Sequence, residues 1–226
     1  MDRFDVAIVI PAYNEEKTIH NVVLQVLKYG KVIVVNDAST DNTSEEAEKA
    51  GAIVISHQRN YGYDKTLNIG FKTAFEMECK YVITIDADGQ HNPDLIETYI
   101  DYLKNKGVFL MLGIRPRKAR FSEMLMGIYF RMRFNVHDIL CGMKGYNMEL
   151  YEENGGVDHI GSIGTELAFM SLKQGYNTVE IPIFVLPRRD KPRFGNILKS
   201  NYRIIRALFM IIRLDIKKHK KILCKL

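Results

Sequence analysis

A β-rich apolar run, Tyr81-Val82-Ile83-Thr84-Ile85, stops abruptly at Asp86-Ala87-Asp88-Gly89. A strand apolar on both faces must be covered on both, as in a sheet with helices on either side. Runs of the same kind fall at 6–10, 31–36, 52–56, 108–113 and 176–185, and most are followed by a polar turn and a helical pattern. At 226 residues the chain is long enough for a doubly wound sheet. The expected fold class is therefore α/β, a mainly parallel central sheet with helices on both faces.

Two carboxylates then leave the sheet together. An Asp-x-Asp at a strand end puts two hard oxygen ligands at the mouth of a cleft, where Mg2+ or Mn2+ can be held while touching a diphosphate. Gly89 permits a sharp turn, Gln90 and His91 follow as further ligands or contacts, and Pro93 starts a helix over 93–106. Taken alone, such a pair is more often a pair of turn formers after a strand.

The other blocks have their own chemistry. Asn14 is suited to cap a helix with Glu15 and Glu16 in its first turn and Ile19, Val22, Val23, Val26 and Leu27 as its buried stripe. Asp37 opens the polar loop 37–43 before a helix over 44–50, and the loop 57–65 precedes a helix over 66–78. No GxGxxG is present at the first turn, which counts against a dinucleotide enzyme. Arg115, Arg117, Lys118 and Arg120 follow the 108–113 strand, at the edge where the aspartates lie if the strands are parallel, and Arg suits bidentate binding of phosphate. The helical stretch 121–136 carries Met124, Leu125, Met126, Ile128, Tyr129, Phe130, Met132 and Phe134, a stripe expected to be core, with a lipid-facing surface as the alternative.

Charge is unevenly spread. From Arg188 onward there are 13 Lys and Arg against two acids, a net +11 within a chain whose total is +5, so the preceding residues carry −6. The stretch 196–226 reads as one basic amphipathic helix, suited to lie on an anionic membrane, with a core helix or a dimer contact as rivals. No apolar run reaches the roughly 18 residues of a spanning helix. Cys79, Cys141 and Cys224 are scattered and form no CxxC pair, which fits a reducing, cytoplasmic setting better than disulfides or zinc. No nucleic-acid recognition motif accompanies the basic tail.

Taken together and in this order, PAYNEE, the Asp37 segment, Asn60-x-Gly62 with Lys65, DADGQH, the arginines after 113, Asp138-x-x-Cys141-Gly142-x-Lys144 and Thr165-Glu166-Leu167 resemble glycosyltransferase family 2. The nearest group is the one that moves a sugar from a nucleotide onto a polyprenyl phosphate, of the dolichyl-phosphate mannosyltransferase type. The resemblance implies a GT-A fold at 1–195, with a nucleotide-binding half at 1–113 and an acceptor half at 114–195, followed by the basic helix. It implies a UDP- or GDP-sugar donor and inversion at the anomeric carbon. By the same resemblance Pro11, Tyr13 and Glu15 wall the base pocket, Asp37 sits beside base and ribose, and Lys65 and Arg189 meet donor phosphate. Asp86, Asp88 and Gln90 hold the metal, Arg115 meets the acceptor phosphate, and Glu166 faces the acceptor. If the acceptor is instead a sugar hydroxyl, Glu166 or Asp138 becomes the candidate base. Outside this family, a nucleotidyltransferase lacks its glycine- and arginine-rich first loop here, and a non-catalytic membrane-surface protein would rest on the basic tail alone.

Overall fold

The computed structural model describes residues 5–116, 120–186 and 197–216. Its strands are β1 (Val6–Ala12), β2 (Lys31–Asn36), β3 (Ile53–Ser56), β4 (Tyr81–Thr84), β5 (Leu110–Ile114), β6 (Lys144–Asn147) and β7 (Thr178–Pro182). Its helices are α1 (Ile19–Val26), α2 (Thr43–Lys49), α3 (Tyr63–Glu76), α4 (Leu95–Asn105), α5 (Phe121–Phe134), α6 (Glu149–Glu153), α7 (Ile163–Gln174) and α8 (Ile197–Ile216). The strands form one sheet in the order β3-β2-β1-β4-β6-β5-β7. All neighbours are parallel except β6, which runs antiparallel to both β4 and β5.

The period of two along the strands divides the core into two layers. Ala7, Val9, Ile33, Val35, Val82 and Leu112 face α3, α5, α7 and α8. Ile8, Ile10, Val32, Val34, Ile83 and Met111 face α1, α2 and α4. β1, buried along its whole length, lies between β2 and β4, which explains its near-continuous apolar sequence. Gly70 lets α3 press against β1, since a Cβ there would overlap the Val9 side chain.

Several sequence expectations shift. Asn14 is no helix cap: α1 begins at Ile19 after Thr18, and Asn14, at φ +54°, accepts a hydrogen bond from the Thr40 amide while donating its own amide to Ser39. α3 begins at Tyr63, so Tyr63, Asp64 and Lys65 are its first turn rather than a loop. β6 and α6 were not expected; the Gly-containing KGYN has almost no apolar content to mark it as a strand. The 121–136 stripe is only half core: Met126 and Phe130 are buried, but Phe121, Met124, Ile128 and Met132 are exposed, Met132 to 85%. α8 likewise buries Ala207 and Ile211 against α5 and α7 and exposes Tyr202, Ile205, Phe209 and Ile216.

Candidate active site

The carboxyl ends of β1, β2 and β4, the N-terminus of α3 and the turn entering β6 meet at one edge of the sheet. Asp86 is at its centre. Its Oδ1 accepts a hydrogen bond from the Tyr63 hydroxyl at 3.2 Å, and its Oδ2 lies 3.1 Å from Nε2 of His91. Burial pushes the Asp86 carboxyl up, but His91, Tyr63 and the charge of Arg115 together outweigh it and hold the group below the usual carboxylate range. It is therefore an anion at neutral pH, with a fixed orientation.

Gly142 makes room for this carboxylate. A Cβ at Gly142 would come within 2.7 Å of Cγ of Asp86 and closer still to Oδ2. The Gly142 carbonyl is fixed to β4 by the Thr84 hydroxyl at 2.7 Å. The antiparallel β6 thus delivers a glycine, rather than a side chain, to the spot where Asp86 needs space.

Asp88 sits one turn further on and accepts the Gln90 amide at 3.1 Å. Gln90 is sewn to the segment after β7: its side-chain amide donates to the Leu186 carbonyl at 2.6 Å, its own carbonyl accepts the Leu186 amide at 2.9 Å, and His91 forms a bridge with Val185. The residues after the Asp-x-Asp pair are thus paired to the segment after β7 like a short bridge. Gln90's side-chain nitrogen is spent on Leu186, which leaves its oxygen as the atom able to face a ligand. Among the described residues no group of three or more His, Cys, Asp and Glu is poised to hold a metal. Two carboxylates are nonetheless the usual protein share of an Mg2+ or Mn2+ site that phosphate oxygens and water complete, so Asp86 and Asp88 fit such an ion.

Asp37 is almost fully buried and is used as a staple. It accepts the amides of Tyr61 at 2.7 Å and Gly62 at 2.8 Å and pairs with Nδ1 of His57 at 2.9 Å. The loop 57–62 is thereby shaped around Tyr61, whose half-exposed ring meets the edge of His57 and lies near Arg59 and Lys65. Lys65 is exposed on α3 beside this ring. On the other side of the edge, Pro11 lies within β1, opposite Val35. Tyr13 is exposed just beyond it, while Glu15 is buried and tied through its amide to Thr43 and through its carboxylate to Thr18. Arg189, Arg117 and Lys118 lie outside the described residues.

Two predicted residues are more committed to the protein than the sequence suggests. Arg115 forks onto Asp138, with Nε at 2.7 Å and a terminal nitrogen at 3.0 Å, and reaches Glu123 at 3.2 Å. Burial alone would depress the Arg115 pKa, but the Asp138 hydrogen bonds and the two carboxylates raise it. Glu166, only 2% exposed, accepts the amides of His159 at 2.8 Å and Ile160 at 3.1 Å and pairs with Nδ1 of His159 at 2.7 Å. Both carboxylates considered as bases, Glu166 and Asp138, thus have every oxygen engaged. Sequence alone does not single out Tyr63, Gly142 or Lys144; the last two stand just before and at the start of β6, within a block that carries the family resemblance.

Comparison with known proteins identifies the family. The family model described as "Glycosyl transferase family 2" matches residues 7–155. UDP-N-acetylglucosamine–dolichyl-phosphate N-acetylglucosaminyltransferase of Methanococcus voltae is 36% identical, with 90% of this chain and 94% of that protein covered. The dolichyl-phosphate hexose transferase of Haloferax volcanii is 29% identical over 83% of this chain and 84% of its own. Among solved structures, glucosyl-3-phosphoglycerate synthase of Mycobacterium tuberculosis, in complex with Mn2+, UDP and glucosyl-3-phosphoglycerate, has a TM-score of 0.72 at 18% identity, covering 93% of this chain and 79% of that one. That likeness concerns the fold, which is GT-A as expected. The family model and the relatives show it: the chain belongs to glycosyltransferase family 2 and is a glycosyltransferase.

Proposed function

We propose that this enzyme transfers a sugar, with inversion, from a UDP- or GDP-sugar to the phosphate of a polyprenyl phosphate. The observation that carries this reading is the state of its acids. Glu166 and Asp138, the residues able to serve a hydroxyl acceptor as base, have every oxygen engaged by His159, Ile160, Arg115 and Leu140. A phosphate acceptor is already an anion and needs no base. The names of the relatives from Methanococcus voltae and Haloferax volcanii point to the same acceptor class.

In this reading Asp86, Asp88 and the side-chain oxygen of Gln90 hold Mg2+ or Mn2+, whose chemical contribution is Lewis-acid stabilisation of the leaving diphosphate. The solved neighbour bound to Mn2+ and UDP supports that ion. Tyr63 and His91 fix the aim of Asp86. Asp37 shapes the base pocket through the loop 57–62, with Tyr13 and Tyr61 as its exposed rings and Pro11 and Glu15 behind them. Lys65 and Arg189 neutralise donor phosphate. Arg115 positions the acceptor, its guanidinium oriented by Asp138.

The enzyme is also proposed to lie peripherally on the cytoplasmic face of a membrane. No described helix is long and apolar enough to cross one. α5 and α8 pack side by side, fastened by Ser122 to Asn201 at 2.6 Å and by Tyr129 and Arg133 to Asp215, each at 2.8 Å. Each keeps an exposed apolar stripe, with Arg131 and Arg133 on one and Arg203, Arg206 and Arg213 on the other also exposed, the combination that anionic bilayers take up.

Substitution separates the acceptor classes. Arg115→Ala should cripple transfer to a phosphate while Glu166→Gln only weakens it. The reverse ranking, with transfer to a hydroxyl lost in Glu166→Gln, would replace the phosphate reading with a glycan or glycolipid hydroxyl.

A further inference from the structure

α5 ends on Asn135, whose φ of +57° turns the chain, and Val136 then plugs into the core. His137 and Asp138 follow as irregular backbone and reach the edge strand β7, where Glu180 receives them. Oε1 of Glu180 accepts the amides of His137 at 2.8 Å and Asp138 at 3.3 Å, and Oε2 lies 2.8 Å from Nδ1 of His137. The Glu180 side chain is only 15% exposed although it stands on an edge strand. An acid in such a place ordinarily faces water, because a covered carboxylate must replace its hydration with hydrogen bonds. Glu180 makes that replacement with the backbone of a turn.

Asp138 is thereby held from both ends. Its amide is fixed to β7, and its carboxylate accepts the Arg115 amide at 3.2 Å, the Arg115 guanidinium at 2.7 and 3.0 Å and the Leu140 amide at 3.2 Å. β5 and β7 pair in parallel from Leu110 opposite Thr178 to Ile114 opposite Pro182, with Glu180 opposite Leu112. Arg115 is the first residue beyond this ladder. A ring is closed: β5 leads to Arg115, Arg115 to Asp138, Asp138 to Glu180, and β7 returns to β5. Among the described residues the hydrogen bonds of Glu180 go to His137 and Asp138 and not to Arg115, so any effect on the arginine passes through Asp138. The same chain then continues from β7 to Leu186, which is bonded to Gln90 beside Asp88. One strand therefore fixes the turn that holds the arginine and the turn that carries the Asp-x-Asp pair.

We propose that Glu180 is a positioning residue for the acceptor: it sets the place of the 137–138 turn and, through Asp138, the direction in which the Arg115 guanidinium points. The inference rests on the reading in which Arg115 positions the acceptor, and it adds the residue on which that aim depends. A bidentate pair between a planar guanidinium and a carboxylate transmits direction as well as charge. A displaced turn rotates the fork while the pair stays made. Without Glu180 the amides of His137 and Asp138 lose their acceptor, and the turn is free to shift relative to β5.

The test uses the full chain with Glu180→Ala, Glu180→Gln, Arg115→Ala and the double variant Glu180→Ala/Arg115→Ala. KM for polyprenyl phosphate, KM for the donor and kcat are measured, together with the thermal shift given by Mn2+ and UDP or GDP. Glu180→Ala should raise the acceptor KM roughly 10- to 100-fold, the cost of a misplacement of up to about 1 Å, with donor KM and the nucleotide shift unchanged. Glu180→Gln should recover most of the loss, since its side-chain oxygen can still accept both amides. The double variant should be no worse than Arg115→Ala alone, because residues of one network are not additive. Where alanine gives no folded protein, Glu180→Asp carries the same expectation, its charge kept and its reach one methylene shorter. An acceptor KM within about twofold of wild type in the Glu180 variant, beside an impaired Arg115→Ala, overturns the inference and leaves the phosphate reading standing. Losses that multiply in the double variant overturn it too, since Glu180 would then act apart from Arg115. So does a higher donor KM with a weaker nucleotide shift, the mark of general loosening. A wild-type acceptor KM in Arg115→Ala overturns the role given to Arg115 and this inference with it.

Discussion

Adding one methyl group at Gly142 should disable the enzyme without unfolding it. The backbone there is not among the positive-φ positions, so alanine brings no torsional strain, and the effect is steric alone. Its Cβ would sit 2.7 Å from Cγ of Asp86, where ordinary carbon contacts begin near 3.5 Å, so one of the two must yield by about 1 Å. Gly142 is held by Thr84 at 2.7 Å, and Asp86 by Tyr63 and His91 at 3.2 and 3.1 Å. Asp86 is the terminal side chain and gives way, losing both bonds. Overpacking costs about 1–3 kcal/mol, a drop in Tm of roughly 2–12 °C for a chain of this size. A catalytic group displaced by about 1 Å costs on the order of a hundredfold in rate. The assay compares kcat/KM for sugar transfer with the stabilisation given by Mn2+ and nucleotide. Gly142→Ala should lose both, Gly142→Ser at least as much, while heat unfolding remains cooperative. An alanine variant with wild-type transfer and an undiminished metal-dependent nucleotide shift would refute the account of how Asp86 is held.

Further expectations follow from the same geometry. Asp138→Asn breaks a buried fork and should cost about 3–5 kcal/mol at neutral pH, read as a Tm difference from wild type. Burial raises the Asp138 carboxyl and Arg115 lowers it by more, so its folded pKa is depressed. Its stabilisation is therefore present above the unfolded value near 3.9 and lost as pH falls through the lower folded value, and the Tm gap between variant and wild type should close only below about pH 4. Cys141, whose thiol burial pushes up to about 12, should resist alkylation at pH 8 in the folded protein and react once it is unfolded, as peptide mapping of the label would tell. Met132→Asp and Phe209→Asp should each weaken binding to anionic vesicles by roughly 10- to 100-fold, the worth of one buried large apolar side chain, with Tm nearly unchanged. Equal binding by both variants would remove α5 and α8 from the membrane contact.

The sheet was legible because β1, β2 and β4 are apolar on both faces, a pattern few other architectures tolerate. The turn after β4 was legible too, since two acids and a glycine directly after such a strand end it at the carboxyl edge of the sheet. β6 was not: Lys144-Gly145-Tyr146-Asn147 carries no alternation, and it pairs only because β4 and β5 leave a slot between them. The first turn of α3 was misread as loop for want of a conventional cap, with Gly62 at φ +88° in that place. Residue roles were the least legible. Glu166 and Arg115 match the family's blocks, yet only coordinates reveal that His159, Ile160, Asp138 and Glu123 have claimed them. The exposed half of the α5 stripe depends on where α8 lies, and no local pattern encodes that.

The most direct measurement incubates the purified chain with UDP- and GDP-sugars labelled in the sugar, polyprenyl phosphate and Mn2+, then extracts the lipid. The expected product is a labelled, acid-labile sugar phosphate lipid from one donor, abolished by chelation and by Asp88→Ala. A labelled product that forms equally after metal removal, or only from an acceptor lacking phosphate, would contradict it.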